Sequence, residues 1–124
     1  MIHKNLTNVP AQDVAMPGAE KVRMQLLCGP GDGCPNFAMR RFIMEPGGGM
    51  PNHTNTVEHE QYVLKGQANI GIGDEIHEVN AGDVVFIPAN VPHWYQNIGE
   101  ENFEFLCLIP NKEDKITLLD KANC

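Results

Sequence analysis

Length, composition and charge limit the classes of protein to which this chain can belong. With 124 residues, it is long enough for one domain with one hydrophobic core. Its formal net charge of -7 disfavours a nucleic-acid or acidic-membrane partner, because the sequence supplies no cluster of Lys and Arg to neutralise phosphates. No apolar run reaches the roughly 20 residues of a membrane-spanning helix, and the N-terminus lacks the apolar stretch of a secretory signal. We therefore expect a cytoplasmic protein without a nucleic-acid or membrane partner.

The predicted elements, taken in chain order, are short strands separated by turns. Residues 1–19 are polar, contain two prolines and show no sustained period. Residues 21–27 alternate apolar and polar side chains, which predicts a half-buried strand, and residues 37–44 form the next strand, ended by the sequence EPGGG. Residues 112–122 fit either a helix or another strand. Further strands are predicted at 62–64, 67–72, 75–79, 84–87, 93–97 and 103–109.

This pattern predicts an all-β fold. Many short strands, 12 glycines and 9 prolines, together with the lack of a helical period, favour a β-sandwich or a β-barrel. We expect one domain over residues 20–110, preceded by an N-terminal arm at 1–19 and followed by a C-terminal tail at 111–124.

The cysteines are expected to be free thiols. A chain of this length has a sufficient core without disulfides and shows no export signal. Cys28 and Cys34 flank the turn GPGDG, so a disulfide or a shared soft metal ion is an open alternative for this pair. Cys124 ends the chain and is expected to be frayed.

The first candidate metal ligands lie between Gly47 and Gly66. His53, Asn55 and His59 occupy odd positions of a strand-like stretch, so their side chains share one face. A single histidine on a strand is usually a surface residue, whereas two with an amide between them favour a metal site.

A second stretch, from Gly82 to Asn97, adds His93 to this set. Three imidazoles from two strand regions supply the three protein donors that a divalent transition metal requires. They leave coordination positions open for a substrate, water or dioxygen.

The two stretches resemble the paired motifs of the cupin superfamily, G-x5-H-x-H-x3,4-E-x6-G and G-x5-P-x-G-x2-H-x3-N. The phrases PNFAMRRF, EHEQYVLKG and EFLCLIP resemble the small single-domain bacterial and archaeal cupins that bind manganese or another divalent metal through four histidines. The resemblance covers roughly residues 37–110 and implies a double-stranded β-helix, or jelly-roll, barrel. The matching residues are Gly47, His53, Gly66, Gly82, Pro88, His93 and Asn97.

The chain departs from these motifs at three positions. Asn55 replaces the second histidine, and His59 stands where the motif has glutamate. Glu60 is one residue out of register, so it points to the opposite face unless a β-bulge turns it inward. Asn90 replaces a glycine, and asparagine tolerates the left-handed backbone that such a turn needs.

The resemblance and these departures together imply a metal site made of His53, Asn55, His59 and His93. The expected cofactor is a divalent transition metal: iron, manganese, nickel, zinc or copper. Asn55 offers a carbonyl oxygen, which is either a weak fourth ligand or a partner for a metal-bound water. The alternative is a cupin that has lost its metal and keeps the histidines as polar lining. With no carboxylate among the ligands, an anionic or enolate-forming substrate is favoured.

Strand alternation identifies candidate substrate-binding residues. Arg40 is expected to face inward as an anchor for a carboxylate, or to lie at the barrel rim. Gln61 is expected to contact the substrate or a metal-bound water, and Tyr95 offers a hydroxyl or simply packs. Phe105 and Cys107 are expected to face the cavity, and the thiol is more commonly a small buried apolar group than a redox centre.

The outward faces of the barrel predict an oligomer. Leu106 and Leu108 are expected to point outward and to need cover. Small cupins that resemble this chain are commonly dimers, so the expected partner is a second copy of the chain.

Three functions fit these residues. The leading hypothesis is a dioxygenase-like, metal-dependent oxidoreductase that acts on a small organic acid or an enolisable carbonyl compound, with Glu60 as base only if a bulge brings it inward. The alternatives are a non-redox isomerase or lyase with a Lewis-acid metal, and a non-enzymatic protein that binds a small molecule. The fold alone does not choose among them.

Overall fold

The computed structural model describes residues 1–119, and these residues are almost entirely β-structure. Short 3₁₀ turns lie at Leu6–Asn8 and Pro30–Asp32. The predicted all-β class is therefore confirmed. The strands are β1 (Gln12–Asp13), β2 (Glu20–Cys28), β3 (Phe37–Asn55), β4 (His59–Lys65), β5 (Gln67–Ile72), β6 (Glu75–Asn80), β7 (Val84–Ile87), β8 (His93–Asn97), β9 (Phe103–Pro110) and β10 (Ile116–Leu118).

The strands form one curled antiparallel sheet of the jelly-roll type. The order of hydrogen-bonded neighbours is β6-β5-β8-β3-β9-β4-β7, and β2 and β10 also pair with β3, while β1 pairs with β2. The longest strand, β3, has 19 residues and pairs with β2, β8, β9 and β10 along different parts of its length. It therefore connects the interior of the barrel to the end at which the candidate ligands lie.

The prediction that EPGGG ends the strand that begins at residue 37 is wrong. The strand continues to Asn55, and its pairing with β2 is irregular here, since Glu20 pairs with Gly49 but Val22 pairs with Met44. Gly47 has φ of 81°, a left-handed conformation that favours glycine. The glycines therefore let β3 bend from its β9 pairing to its β8 pairing without ending the strand.

The interior follows the predicted alternation closely. In β9, Phe103, Phe105 and Cys107 are buried, and in β4 the buried residues are His59, Gln61 and Val63. The neighbours of these residues along each strand point outward. The aromatic rings at the centre stack, with centroid distances of 5.1 Å for Phe42 and Phe105 and 5.4 Å for Tyr95 and Phe105.

Both terminal segments pair with the barrel. Within the arm, β1 pairs with β2, and Val14 packs against the core. Within the tail, residues 116–118 form a strand, so the strand interpretation of this segment is confirmed. β10 lies beside the end of β3, where Ile116 pairs with Asn55 and Leu118 pairs with His53.

The described cysteines, Cys28, Cys34 and Cys107, are free thiols, as expected. The disulfide alternative for the first two is therefore not present. The expectation for Cys124 lies outside the described residues. Within residues 1–119, no helix combines the length and apolar character needed to cross a membrane.

Candidate metal and substrate site

The candidate site is a cavity of about 520 Å³ inside the barrel. The predicted metal ligands and the predicted substrate-binding residues all line it: His53, Asn55, His59, His93, Arg40, Gln61, Tyr95, Phe105 and Cys107. The lining also includes residues 12–17 of the N-terminal arm and two side chains of β10, Ile116 and Leu118.

Three strand ends bring the histidines together. His53 lies near the end of β3, while His59 and His93 are the first residues of β4 and β8. His53 and His93 are direct partners in the β3–β8 register, and their ring centroids are 4.2 Å apart. The ring centroids of His59 and His93 are 5.6 Å apart. All three rings are buried, so the site is shielded from bulk water.

Backbone carbonyl groups select the tautomers of two of these rings. His53 Nδ1 lies 2.7 Å from the oxygen of Pro51, and His93 Nδ1 lies 2.9 Å from the oxygen of Val91. A carbonyl oxygen only accepts, so Nδ1 carries the proton and Nε2 keeps its lone pair in the neutral ring. Metal-binding histidines are commonly oriented by such a contact.

The imidazoles are neutral at physiological pH. Burial lowers the pKa of His59 to about 3, helped by the nearby Arg40 guanidinium. Burial also lowers the pKa of His93 to about 4, helped by His53, whose own pKa is lowered by burial. Neutral rings offer the lone pairs that a transition metal binds.

Two buried atoms in this set lack a hydrogen-bond partner: Asn55 Oδ1 and His59 Nδ1. The Asn55 amide nitrogen, in contrast, donates to Asp114 Oδ2 at 2.9 Å. A buried acceptor without a partner costs about 1–3 kcal/mol, and a bound cation or substrate donor would remove that cost.

The chemistry of this donor set therefore fits a divalent transition metal. Within residues 1–119, however, no three side chains of His, Cys, Asp or Glu stand in an arrangement that would hold a metal ion. The imidazoles line one cavity, with the ring centroids of His53 and His59 at 4.2 Å and 5.6 Å from that of His93.

A polar cluster lies among the aromatic side chains of the same cavity. Gln61 Nε2 donates to the Tyr95 hydroxyl at 2.7 Å, and Arg40 Nη2 donates to Cys107 Sγ at 3.2 Å. Arg40 Nε and Gln61 Oε1 are buried without partners. Arg40 also lies over the ring of Phe42, 5.0 Å from its centroid. The cluster thus keeps one donor and one acceptor available to a ligand.

Burial sets the protonation of this cluster. It raises the pKa of the Tyr95 hydroxyl, with a further contribution from Cys107. It also raises the pKa of the Cys107 thiol, against the lowering effect of Arg40. Both groups stay protonated at neutral pH, so Tyr95 is a proton donor. Cys107 lacks the thiolate character of a reactive cysteine.

Glu60 lies outside the cavity, and the conditional prediction that it acts as a base there fails. Its pairing with Phe86 and Leu108 shows no bulge, so strand alternation turns it to the outer face. There it lines a separate cavity of about 690 Å³ together with Cys28 and Cys34. Its pKa is raised to about 7 by burial and by the neighbouring carboxyl of Glu58.

Asp114 is the residue that sequence reasoning missed. It belongs to a tail without a clear period, and only the distant pairing of β10 with β3 brings it beside Asn55. The sequence carries no local signal for this contact. Asn90, by contrast, has φ of 67°, the left-handed conformation expected at that turn.

The barrel and its paired histidine stretches define the class of protein. Residues 40–109 match the family model Cupin_2, described as Cupin domain, and the chain belongs to this family.

Several individual proteins are similar to this chain in structure or in sequence. The chain is 30% identical to the polyketide cyclase RemF from Streptomyces resistomycificus, with a TM-score of 0.88 and coverage of 98% of this chain and 88% of that one. A cupin-2 domain from Rhodospirillum rubrum is 24% identical, with a TM-score of 0.81, over 98% of this chain and 82% of that one. A curated relative, Uncharacterized protein MJ1618 from Methanocaldococcus jannaschii, is 36% identical over 52 residues; the match covers 42% of each chain.

Proposed function

We propose that this cupin is a metal-dependent enzyme that closes or isomerises an enolisable carbonyl compound without redox chemistry. The observation that carries the proposal is one cavity of about 520 Å³ lined by three neutral imidazoles, the Asn55 amide, aromatic rings and the half-buried Arg40, whose Nε is buried without a partner. The likeness to a polyketide cyclase at 30% identity supports this reaction class over the dioxygenase-like alternative. It corresponds to the non-redox alternative among the functions predicted from the sequence.

His53, His59 and His93 would hold the metal, with Asn55 as the fourth protein ligand. Iron, nickel, zinc and copper suit imidazole donors, and the carbonyl oxygen of Asn55 is a donor that suits manganese. When bound, the metal supplies Lewis-acid chemistry that polarises a carbonyl oxygen of the substrate.

The polar cluster would orient the substrate and move protons. Arg40 is half-buried and its Nε is buried without a partner, so the guanidinium is suited to bind an enolate or carboxylate oxygen. The Tyr95 hydroxyl accepts from Gln61, which leaves its own proton free for donation to a substrate oxygen. Compounds with carbonyl groups in 1,3 relation enolise readily, which suits a site whose candidate metal ligands include no carboxylate.

The apolar part of the lining favours a flat carbon skeleton. Phe42, Phe105, Met24 and Met50 line the cavity together with Ile116. A volume of about 520 Å³ lies within the usual range of small-molecule sites, roughly 300–1,000 Å³. A short aromatic or polyketone acid would fill it.

The homodimer predicted from the sequence is part of this proposal. Exposed apolar side chains continue across the outer faces of β4, β7 and β9, including Tyr62, Val84, Phe86 and Leu108. Such a patch favours contact with a second copy of the chain. Light scattering should give the mass of a dimer, and a monomeric mass would contradict this part. The cytoplasmic location stays a prediction.

The test is turnover of a panel of β-polyketones and aromatic keto acids by protein of known metal content. The proposal expects conversion by metal-loaded protein, loss of conversion after chelation, and recovery after metal is restored. Ligand binding without conversion of any panel member would favour the non-enzymatic alternative and contradict the proposal.

A further inference from the structure

We propose that Asp114 is a positioning residue, which fixes the Asn55 amide with its carbonyl oxygen held ready for the metal. The strand that follows it, β10, is then part of the site. The inference rests on the metal site proposed above and assigns a role to a residue outside the cupin motifs.

The hydrogen bonds of Asp114 determine the orientation of the Asn55 amide. Asp114 Oδ2 accepts from Asn55 Nδ2 at 2.9 Å, and Asp114 Oδ1 accepts from the backbone N–H of Thr56 at 3.0 Å. A carboxylate only accepts, so the amide must present its NH₂ group to Asp114. The other end of the amide, Oδ1, is buried without a partner in a side chain that lines the cavity.

The backbone on both sides of Asp114 is held in place. The N–H of Lys115 donates to Thr56 Oγ1 at 2.9 Å, and the Thr56 hydroxyl donates to the carbonyl oxygen of Glu113 at 3.4 Å. Ile116 then begins β10 directly opposite Asn55. These hydrogen bonds and this strand pairing give the carboxylate a fixed position, as a group that orients a ligand requires.

The charge of Asp114 complements a neutral donor set. Its carboxylate accepts from the amide of Asn55, so a negative charge lies one side chain away from the cavity that the three imidazoles line. A negative charge at this place favours a divalent cation in the cavity. Asp114 thus supplies part of the charge neutralisation that was expected to fall to the substrate alone.

The decisive variant is Asp114→Asn in the full-length protein. It keeps the shape of the side chain and removes its charge. Its NH₂ group can also donate a hydrogen bond, so the Asn55 amide is no longer held in one orientation and can exchange the positions of Oδ1 and Nδ2. The matched control is Glu113→Gln, which removes the same charge from the neighbouring, exposed side chain. Calorimetric titration of metal-free protein with Zn²⁺ should show affinity about 10–100-fold weaker in Asp114→Asn and unchanged in Glu113→Gln.

A double-mutant cycle separates positioning from simple attraction. In the Asn55→Ala background, Asp114→Asn should weaken Zn²⁺ binding much less than it does in the unaltered protein. An equal loss in both backgrounds, or no loss in either, would overturn the role assigned to Asp114.

A metal-independent readout distinguishes failure of this inference from failure of the proposed function. In NMR spectra of metal-free protein, the Asn55 side-chain NH₂ and the Thr56 N–H should shift in Asp114→Asn and stay in place in Glu113→Gln. Unshifted signals would contradict the contact itself. If these signals shift but the unaltered protein binds no Zn²⁺, Co²⁺, Mn²⁺, Fe²⁺, Ni²⁺ or Cu²⁺, the proposed metal function fails and Asp114 has no ligand to position.

Discussion

His53 and His93 face each other across the β3–β8 pair, with ring centroids 4.2 Å apart and each Nδ1 beside a backbone oxygen two residues earlier in the chain. The same local turn at both rings leaves two Nε2 lone pairs in one cavity. This pair is the centre of the candidate metal site, because His59 and Asn55 line the same cavity.

Replacing His93 tests this centre. His93→Ala should abolish Zn²⁺ binding, since it removes one of three imidazoles. It should also lower the free energy of unfolding of the metal-free protein by about 1–3 kcal/mol, because the Val91 oxygen loses its buried donor. Calorimetric titration and chemical unfolding measure the two effects. The control is His77→Ala, an exposed position that should change neither; retained Zn²⁺ affinity in His93→Ala would contradict the site.

The stability of the metal-free protein should depend on pH in a defined direction. His59 and His93 have pKa values of about 3 and about 4 in the folded protein, against an ordinary value of 6.5. Below pH 6.5 these two histidines become protonated in the unfolded chain but stay neutral in the folded protein. The free energy of unfolding therefore falls as pH decreases from 6.5 to about 4. The slope approaches about 1.4 kcal/mol per pH unit for each histidine. Urea unfolding at a series of pH values checks this, and His59→Gln should have a shallower slope; stability that rises on acidification would contradict neutral buried rings.

Tyr95 should contribute to turnover through its hydroxyl. Tyr95→Phe removes one hydrogen-bond donor to a substrate oxygen and keeps the ring stacked on Phe105, so we expect a roughly 10²–10³-fold lower kcat, the usual cost of losing such a donor, with the fold intact. The matched control is Tyr62→Phe, which alters the hydroxyl of the exposed tyrosine on the outer face. Equal kcat values for both variants would remove Tyr95 from the reaction.

Glu60 should be dispensable for catalysis. It lies on the outer face of β4 and lines a different cavity from the histidines, so Glu60→Gln should leave kcat and Zn²⁺ affinity unchanged. Steady-state kinetics and calorimetry measure this. A large loss of kcat without loss of folding would restore the base role that the register excludes.

The side of the strand on which each site residue lies could be predicted from the sequence, because one face of each strand is buried. A one-residue shift of β4 would expose His59 and Gln61 and bury Glu60, which the charge of Glu60 disfavours. The same reasoning predicts that Arg40 and Cys107 face inward, and both line the cavity. Local sequence is sufficient where alternation and burial agree.

Two features lay beyond local sequence. The glycines at 47–49 are ordinary turn signals, and only the change of pairing partner along β3 makes them a bend within a strand. Asp114 reaches Asn55 through a pairing between strands far apart in the chain, which no period within residues 111–119 encodes. The motif residues of the site could thus be identified from the sequence, whereas Asp114 joins them only through long-range strand pairing.

Oxygen dependence tests the central claim most directly. Metal-loaded protein should convert a β-polyketone at the same rate in an anaerobic chamber as in air, with no oxygen uptake and no oxygen atom added to the product. A reaction that stops without dioxygen, or consumes it in proportion to product, would contradict the non-redox account and identify the protein as the dioxygenase-like oxidoreductase.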